Sequence, residues 1–595
     1  MVALKITGFG GMIPAQGDSL LPEQNAALAQ NTFLDAGEVY GIRQTKTLHT
    51  MVNSGWKYAF RVPLGPPDKN HITNSYWWEF ADPDTNVLKS QLTNDSWQRY
   101  YFCSPSQSPG YNTQARITAG NANYLLGIPA PTSAPTVAVA GGSGTTAQRA
   151  YVYTWVSAYG EEGPPSPPVS QTGFVNGTWN VTIPAAPGSA TTNRNLVSTN
   201  IYRTVTNASG GATYYLVAQI PIGTLTYADT LSDVTVAGNV VLPSLTWFPP
   251  PTDMIGFVSM PNGMMAGWRL NSNEVWFCEP YRPHAWPAQY TIGVDANVVG
   301  LGVVGQTLVI LTQGFPYSAT GINPSNMALS KIATFEPCMS RGGIVSTATG
   351  VFYPSPNGVC LAAYGMVQNA TLPLATKDRF QDLLTPESMR SAKLSASYYT
   401  FGSSIYGGFE PTAFDNASFS IANTSGSRQG ALINLGDPRV AWTELVQSVS
   451  VDNVMTDLWS GEIFLMQGGV VGWLDVSSAG ITGSYLWRSK QFQMSQKTNL
   501  KAMKISFINN INDPSFVHNT TRNTNNPQAL GAGQYGLLRV YGDGNLIMTR
   551  EIWTDNEVMT LPAGYKADFY QFEIEARVRV QSLQVASSIK ELAGV

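Results

Sequence analysis

The feature that most constrains this chain is the spacing of its turn formers. Its 56 glycines and 38 prolines are scattered along 595 residues, between short runs of Val, Ile, Thr, Tyr and Phe. Such runs are too short for stable helices and have the composition of half-buried strands, so the sequence reads as all-β with many turns. A chain of this length is too long for one ordinary domain, and about three or four are expected.

Charge narrows the class further. Only 12 % of residues are charged, about half the usual share of roughly 25 %. Disorder is excluded, because 43 % hydrophobic and 11 % aromatic residues are enough for large cores. The formal net charge is −4 and no basic cluster stands out, so a protein that grips nucleic acid through a positive stripe is not expected. The N-terminus has no apolar run resembling a signal peptide, and no stretch of about 18 apolar residues predicts a membrane span. Cys103, Cys278, Cys338 and Cys360 are far apart and read as buried free thiols.

Along the chain, the spacing predicts a short helix from Pro22 through Gln30, and aromatic strands around Trp77 and between Trp97 and Phe102. Residues 129–144 read as a Pro/Gly/Ser/Thr linker. About seven short strands then follow, resembling a fibronectin type III sandwich. From about 250 the pattern repeats loosely at about 40–50 residues, as propeller blades do. A helical interruption is expected at 377–390, with Thr385 and Pro386 marking a second start. Near the C-terminus, Gly542-Asp-Gly-Asn545 predicts a hairpin turn. Residues 569–580 alternate strictly. Tyr570, Phe572, Ile574, Ala576, Val578 and Val580 share one side, and Glu573, Glu575, Arg577 and Arg579 share the other. The second side suits ion pairs, either on a solvated face or at a subunit interface.

The expected fold class is therefore all-β: a β-propeller with a β-rich platform built from both chain ends, and an inserted fibronectin type III-like β-sandwich. The expected divisions are 1–128 as the N-terminal part of platform and propeller, 129–247 as the sandwich, 248–480 as the propeller and 481–595 as the C-terminal platform.

Catalytic patterns are scarce. There is no GxSxG, HExxH or GxxxxGK[ST] motif. His49, His71, His284 and His518 lie in unlike contexts. The stretch Asp82 to Thr93 begins like a calcium loop but has Val87 and Thr93 where Gly and Glu are needed. Gly142-Ser-Gly144 reads as linker, not as a dinucleotide loop. Glu161 and Glu162 are adjacent in a turn and are expected to diverge into solvent. No catalytic, metal or cofactor residue is expected, no cofactor is expected, and the chain reads as a non-enzyme.

Three segments resemble the tail nozzle proteins of podophages, the tail tubular protein B family. The first is Leu20-Leu-Pro-Glu-Gln-Asn-Ala-Ala-Leu-Ala-Gln-Asn-Thr-Phe-Leu-Asp-Ala-Gly37. The second is Glu274-Val-Trp-Phe-Cys-Glu-Pro-Tyr-Arg-Pro-His-Ala-Trp-Pro287, continuing to residues 309–321 and Ser355-Pro-Asn-Gly358. The third is Trp487-Arg-Ser-Lys-Gln-Phe492 with the closing Ser587-Ser-Ile-Lys-Glu-Leu592. The resemblance implies a structural subunit of a short-tailed virion, assembled in the host bacterial cytoplasm. It implies a homo-oligomer, a hexameric ring below the portal and its head-to-tail adaptor protein. Tail fibres or spikes would be neighbours, genome DNA would pass through the channel, and no stable membrane insertion is implied. The competing readings are a host-receptor or glycan-binding tail protein and a polysaccharide hydrolase.

Overall fold

Short turns set the hairpins. Asn262 and Gly263 both take positive φ, at 62° and 69°, and join the strands Met254–Met260 and Met264–Arg269. Asp543 and Gly544 do the same at 48° and 81°, between Gly536–Gly542 and Asn545–Ile552. Positive φ at both central residues matches the right-handed twist of the flanking strands, which is why Asn-Gly and Asp-Gly occupy these turns.

The fold is seen in a computed structural model that describes residues 3–35, 37–42, 45–206, 212–394, 397–401, 427–434, 442–447, 451–474, 484–508, 536–552 and 554–592. His518 lies outside them. The chain is all-β and of propeller type. It forms two compact units, Met1–Pro83 with Glu336–Val595, and Asp84–Phe335.

In the first unit both chain ends build a platform of two sheets. A six-stranded sheet joins Ala3–Thr7, Thr32–Asp35 and Glu38–Gly41 to Ala502–Ile508, Val558–Thr560 and Arg579–Ala586. In a ten-stranded sheet, Ala26–Gln30 lies between Trp442–Gln447 and Tyr485–Ser489, and Ala567–Ala576 between Tyr485–Ser489 and Gly536–Gly542. One continuous core fills this platform, including Trp442, Trp487, Tyr570, Phe572 and Ile574. Blade-like sheets belong to the same unit. One runs through 345–369 in four strands. Another takes three strands from 453–473 and its fourth, Lys46–Thr50, from the N-terminal region.

The second unit holds three four-stranded antiparallel blades, within 86–125, 254–293 and 298–331. First strands beginning at Met254, Val298 and Val345 follow the repeat of about 40–50 residues expected of blades. The sandwich is inserted between the first two of this unit's blades. Its seven strands form a three-stranded sheet over a four-stranded one, around Tyr151, Tyr153, Trp155, Trp179 and Ile201.

Three local expectations need correction. The segment expected as a helix from Pro22 is the strand Ala26–Gln30. Its alanines favour a helix, but five residues cannot nucleate one alone, and Ala26 and Ala29 are buried in the platform core. The expected linker at 129–144 already contains the first sandwich strand, Thr136–Ala140, and Gly141 to Gly144 form the turn after it. The alternating run 569–580 is two strands, Ala567–Ala576 and Arg579–Ala586, which belong to different sheets. Period-two alternation passes through the bend unbroken, so the pattern could not reveal it. The interruption at 377–390 is as expected: a helix, Lys377–Leu383, is followed by a second start in which Thr385 is the N-cap and Pro386 opens the 3-10 turn Pro386–Ser388.

Candidate functional sites: two buried ionic clusters

The first cluster grows from strand register. Glu573 pairs across the sheet with Arg488 on one neighbouring strand and with Arg539 on the other. Three strands therefore line up Arg, Glu and Arg at one level. Arg488 Nε donates to Glu573 Oε2 at 2.6 Å, and Arg539 Nη1 donates to Glu573 Oε1 at 2.7 Å. The other arm of Arg539 reaches Glu575 at 2.6 Å. Burial alone would raise the Glu573 carboxyl, but the two guanidiniums outweigh it and hold it below its ordinary value. The Tyr541 ring lies 5.4 Å from the Arg488 guanidinium, and burial pushes its phenol up.

The four residues singled out by alternation thus have different surroundings. Glu573 is 1 % exposed and answers arginines of its own chain. Glu575 shares Arg539 with it. Burial lowers Arg577 from its ordinary value, and Glu575 opposes that shift. Arg579 sits beyond the bend, paired with Glu38 and stacked 4.7 Å from the Tyr40 ring. The apolar side is as the pattern predicts, with Tyr570, Phe572, Ile574, Ala576, Val578 and Val580 all buried.

The second cluster roots the sandwich on its neighbouring blade, and it overturns the expectation for Glu161 and Glu162. Both residues are buried. The turn carrying them folds back on the sandwich strand Thr146–Ser157, through Ser157 N to Glu161 O at 2.9 Å and Gly163 N to Trp155 O at 3.0 Å. Glu161 meets Arg99 Nη1 at 2.7 Å, and Arg99 Nε holds Asp95 at 3.0 Å. Glu162 accepts from Thr154, Tyr202 and Asn200 at 2.5, 2.7 and 3.2 Å.

One guanidinium here serves two carboxylates. Burial therefore wins over Arg99, and the Glu161 carboxyl is pushed up to about 6. His284 Nδ1 lies 3.9 Å from Glu161. Burial and the nearby Arg282 and Arg99 push the imidazole down to about 3. The ring is therefore neutral near pH 7, and this approach is not an ion pair. Around the ions stands an aromatic box. Tyr159 packs on Trp97, Tyr111 and Tyr124 with centroids 5.1, 5.8 and 6.5 Å away. Arg194 adds a further tie by donating to Leu126 O at 2.9 Å.

A carboxyl titrating near 6 is the property a general acid needs. Yet the Glu161 side chain is only 6 % exposed, so no substrate atom reaches it, and its partners hold one module on another. Sequence reasoning missed Asp95 and Arg99 altogether. The signal that could have found the cluster is scarcity. Residues 129–247 hold only seven charges, so each is suspect as an internal group. All four cysteines are buried and free, as their spacing led us to expect, and burial raises the Cys278, Cys338 and Cys360 thiols. Among the described residues, no group of three or more His, Cys, Asp or Glu side chains is placed to hold a metal. No described helix is long and apolar enough to cross a membrane.

These features define a class: an all-β, propeller-type protein with an inserted sandwich, clamped internally by buried ion pairs. The sequence matches no family model and no curated protein. Among solved structures it is similar to virginiamycin B lyase from Staphylococcus aureus, at 10 % identity and a TM-score of 0.27, over 66 % of this chain and 99 % of that one. It is similar to the N-terminal domain of Nup159 at 8 % identity and a TM-score of 0.25, over 79 % and 99 %. It is also similar to Hsv2 of Kluyvelomyces marxianus at 8 % identity and a TM-score of 0.24, over 60 % and 93 %. Likeness this faint carries nothing about activity or partners.

Proposed function

We propose that this chain is a structural subunit of a short-tailed bacteriophage tail. It forms a hexameric nozzle ring below the portal and its adaptor, flanked by fibres or spikes, and genome DNA passes through it during ejection. The observation that carries this reading is the platform. The nozzle resemblance implies a propeller joined to a platform from both chain ends, and strands from both ends do share two sheets. The absence of a basic run supports a passive conduit, since basic walls would bind phosphates and slow the duplex. In such a ring Glu573 and Glu575 stiffen the sheet from within rather than bridge subunits.

Electron microscopy of the purified full-length chain tests the proposal. Sixfold rings with a central channel are expected. A monomer at all concentrations, or a trimeric fibre, would contradict it. Titration with duplex DNA at low salt tests the conduit separately. Binding weaker than micromolar is expected, whereas tighter binding with a steep salt slope would indicate a DNA-holding gate.

A further inference from the structure

The sandwich buries a second set of charges apart from its root. Arg149 lies on the strand Thr146–Ser157 and Arg203 on Leu196–Thr206, neighbours in the four-stranded sheet, and both are buried. Trp179 and Asp229 pair with each other in the three-stranded sheet and are also buried. Arg203 Nε lies 3.0 Å from Asp229, and its Nη1 donates to Asp233 at 2.6 Å. Arg149 Nη2 donates to Asp233 at 2.7 Å. The Asp229 side chain is fully buried, but that of Asp233 is 40 % exposed. Two buried cations therefore meet one buried carboxylate and one that water screens.

Arg149 is short of acceptors. Its Nε and Nη1 are buried and have no hydrogen-bond partner among the described residues. The Trp179 ring lies 4.8 Å from the guanidinium, and its indole nitrogen has no partner either. No other described arginine leaves two nitrogens in this state. A buried donor without an acceptor is costly, and more so when it is charged. Every one of these groups donates and none accepts. Asp229 is already engaged, with Oδ2 accepting from Tyr151 at 2.8 Å and Oδ1 from Leu231 N at 2.9 Å. A water molecule would bring hydrogens that need acceptors of their own. An oxyanion accepts without donating, and it brings negative charge to the cation that has only the screened Asp233.

We propose that the sandwich binds a small oxyanion at Arg149 and Trp179, either inorganic phosphate or the carboxylate of a larger ligand. Asp233 is the rim of this site. Arg149, Arg203, Asp229 and Trp179 are at most 2 % exposed, so a ligand enters past the Asp233 side chain. The Asp233 carboxylate already rests on both guanidiniums, as the acid group of a ligand would. Its charge opposes the entry of a second anion. The site lies within the sandwich, and it stands whether or not the chain forms a ring.

The test is equilibrium dialysis of the full chain against labelled inorganic phosphate and, separately, labelled acetate. Chloride holds the ionic strength constant, and circular dichroism checks the fold. Saturable uptake by the wild type is expected. Uptake of phosphate alone marks a phosphate ligand, and uptake of acetate marks a carboxylate ligand. Arg149→Met keeps the apolar stem and should abolish uptake. Trp179→Phe keeps a ring but drops the N–H and should weaken it. Asp233→Asn removes the competing charge and should tighten binding by about tenfold, a gain that a merely structural cluster would not show. If Arg149→Met fails to fold, the other two variants decide. No saturable uptake by either the wild type or Asp233→Asn would overturn the proposal. Undiminished uptake by Arg149→Met or Trp179→Phe would overturn it too, by placing the anion elsewhere on the chain.

Discussion

Glu573 and Glu161 are both buried glutamates facing arginine, and their carboxyls move in opposite directions. Glu573 lies between two guanidiniums at 2.6 and 2.7 Å and is held below its ordinary value. Glu161 has one guanidinium at the same distance, shared with Asp95, and is pushed up to about 6. Burial is common to both. The ratio of cations to carboxylates decides which way the balance tips, because desolvation opposes the charged form and each added guanidinium restores it. Strand register gives the platform two arginines for the two carboxylates Glu573 and Glu575, by placing Arg on both strands that flank Glu573, against one arginine for Glu161 and Asp95 at the root. The sandwich root draws its groups from turns and separate elements, and register cannot supply a second arginine there.

The largest effect expected is at the platform. Glu573→Ala leaves two arginines without their shared carboxylate and should destabilise the first unit by about 3–5 kcal/mol, measured as a shift in the denaturant midpoint. A change under about 1 kcal/mol would mean that the ladder is as weak as a surface pair. At the root, Arg99→Ala should destabilise by about 3 kcal/mol and drive Glu161 higher still, so that the acid buries itself neutral. Unchanged stability would show that desolvation, not Arg99, sets the whole balance. Tyr159→Ala removes a ring that touches Trp97, Tyr111 and Tyr124 and should cost about 2–3 kcal/mol. It should also quicken proteolysis around residues 129–135, and a cleavage pattern like wild type would argue that the ions alone hold the sandwich.

Much of the fold is legible in the sequence, because strands, turns and blades declare themselves locally. Asn262-Gly263 and Asp543-Gly544 fix hairpins through their own φ preferences. The alternation around Tyr570 to Val580 marks a buried face correctly, while saying nothing of the bend at 577–578 that sends the chain into a second sheet. What fails is whatever depends on distant partners. Ala26–Gln30 is a strand only because strands from 442–447 and 485–489 flank it. Glu161 is buried only because Arg99, 62 residues away in sequence, waits for it. Two adjacent acids in a proline-rich turn look solvated when the chain is read locally, and no periodicity identifies the arginine that takes one of them in.

The stability–pH profile tests the central claim, that both clusters are internal clamps whose sign is set by their cation count. A carboxyl raised above its unfolded value of about 4.5 binds its proton more tightly in the fold. Its contribution is fully present below that value and is lost as pH rises through about 6. The second unit should therefore gain about 2 kcal/mol as pH falls from 6.5 to 4.5, and Glu161→Gln should flatten this slope. A lowered carboxyl behaves the other way. The Glu573 contribution is present above about 4.5 and should be lost as pH falls below it, with Glu573→Gln removing that loss. Opposite slopes for the two substitutions, read by melting each variant across pH 3.5 to 7, are the result the account predicts. Slopes of the same sign, or a profile that neither substitution alters, would contradict it.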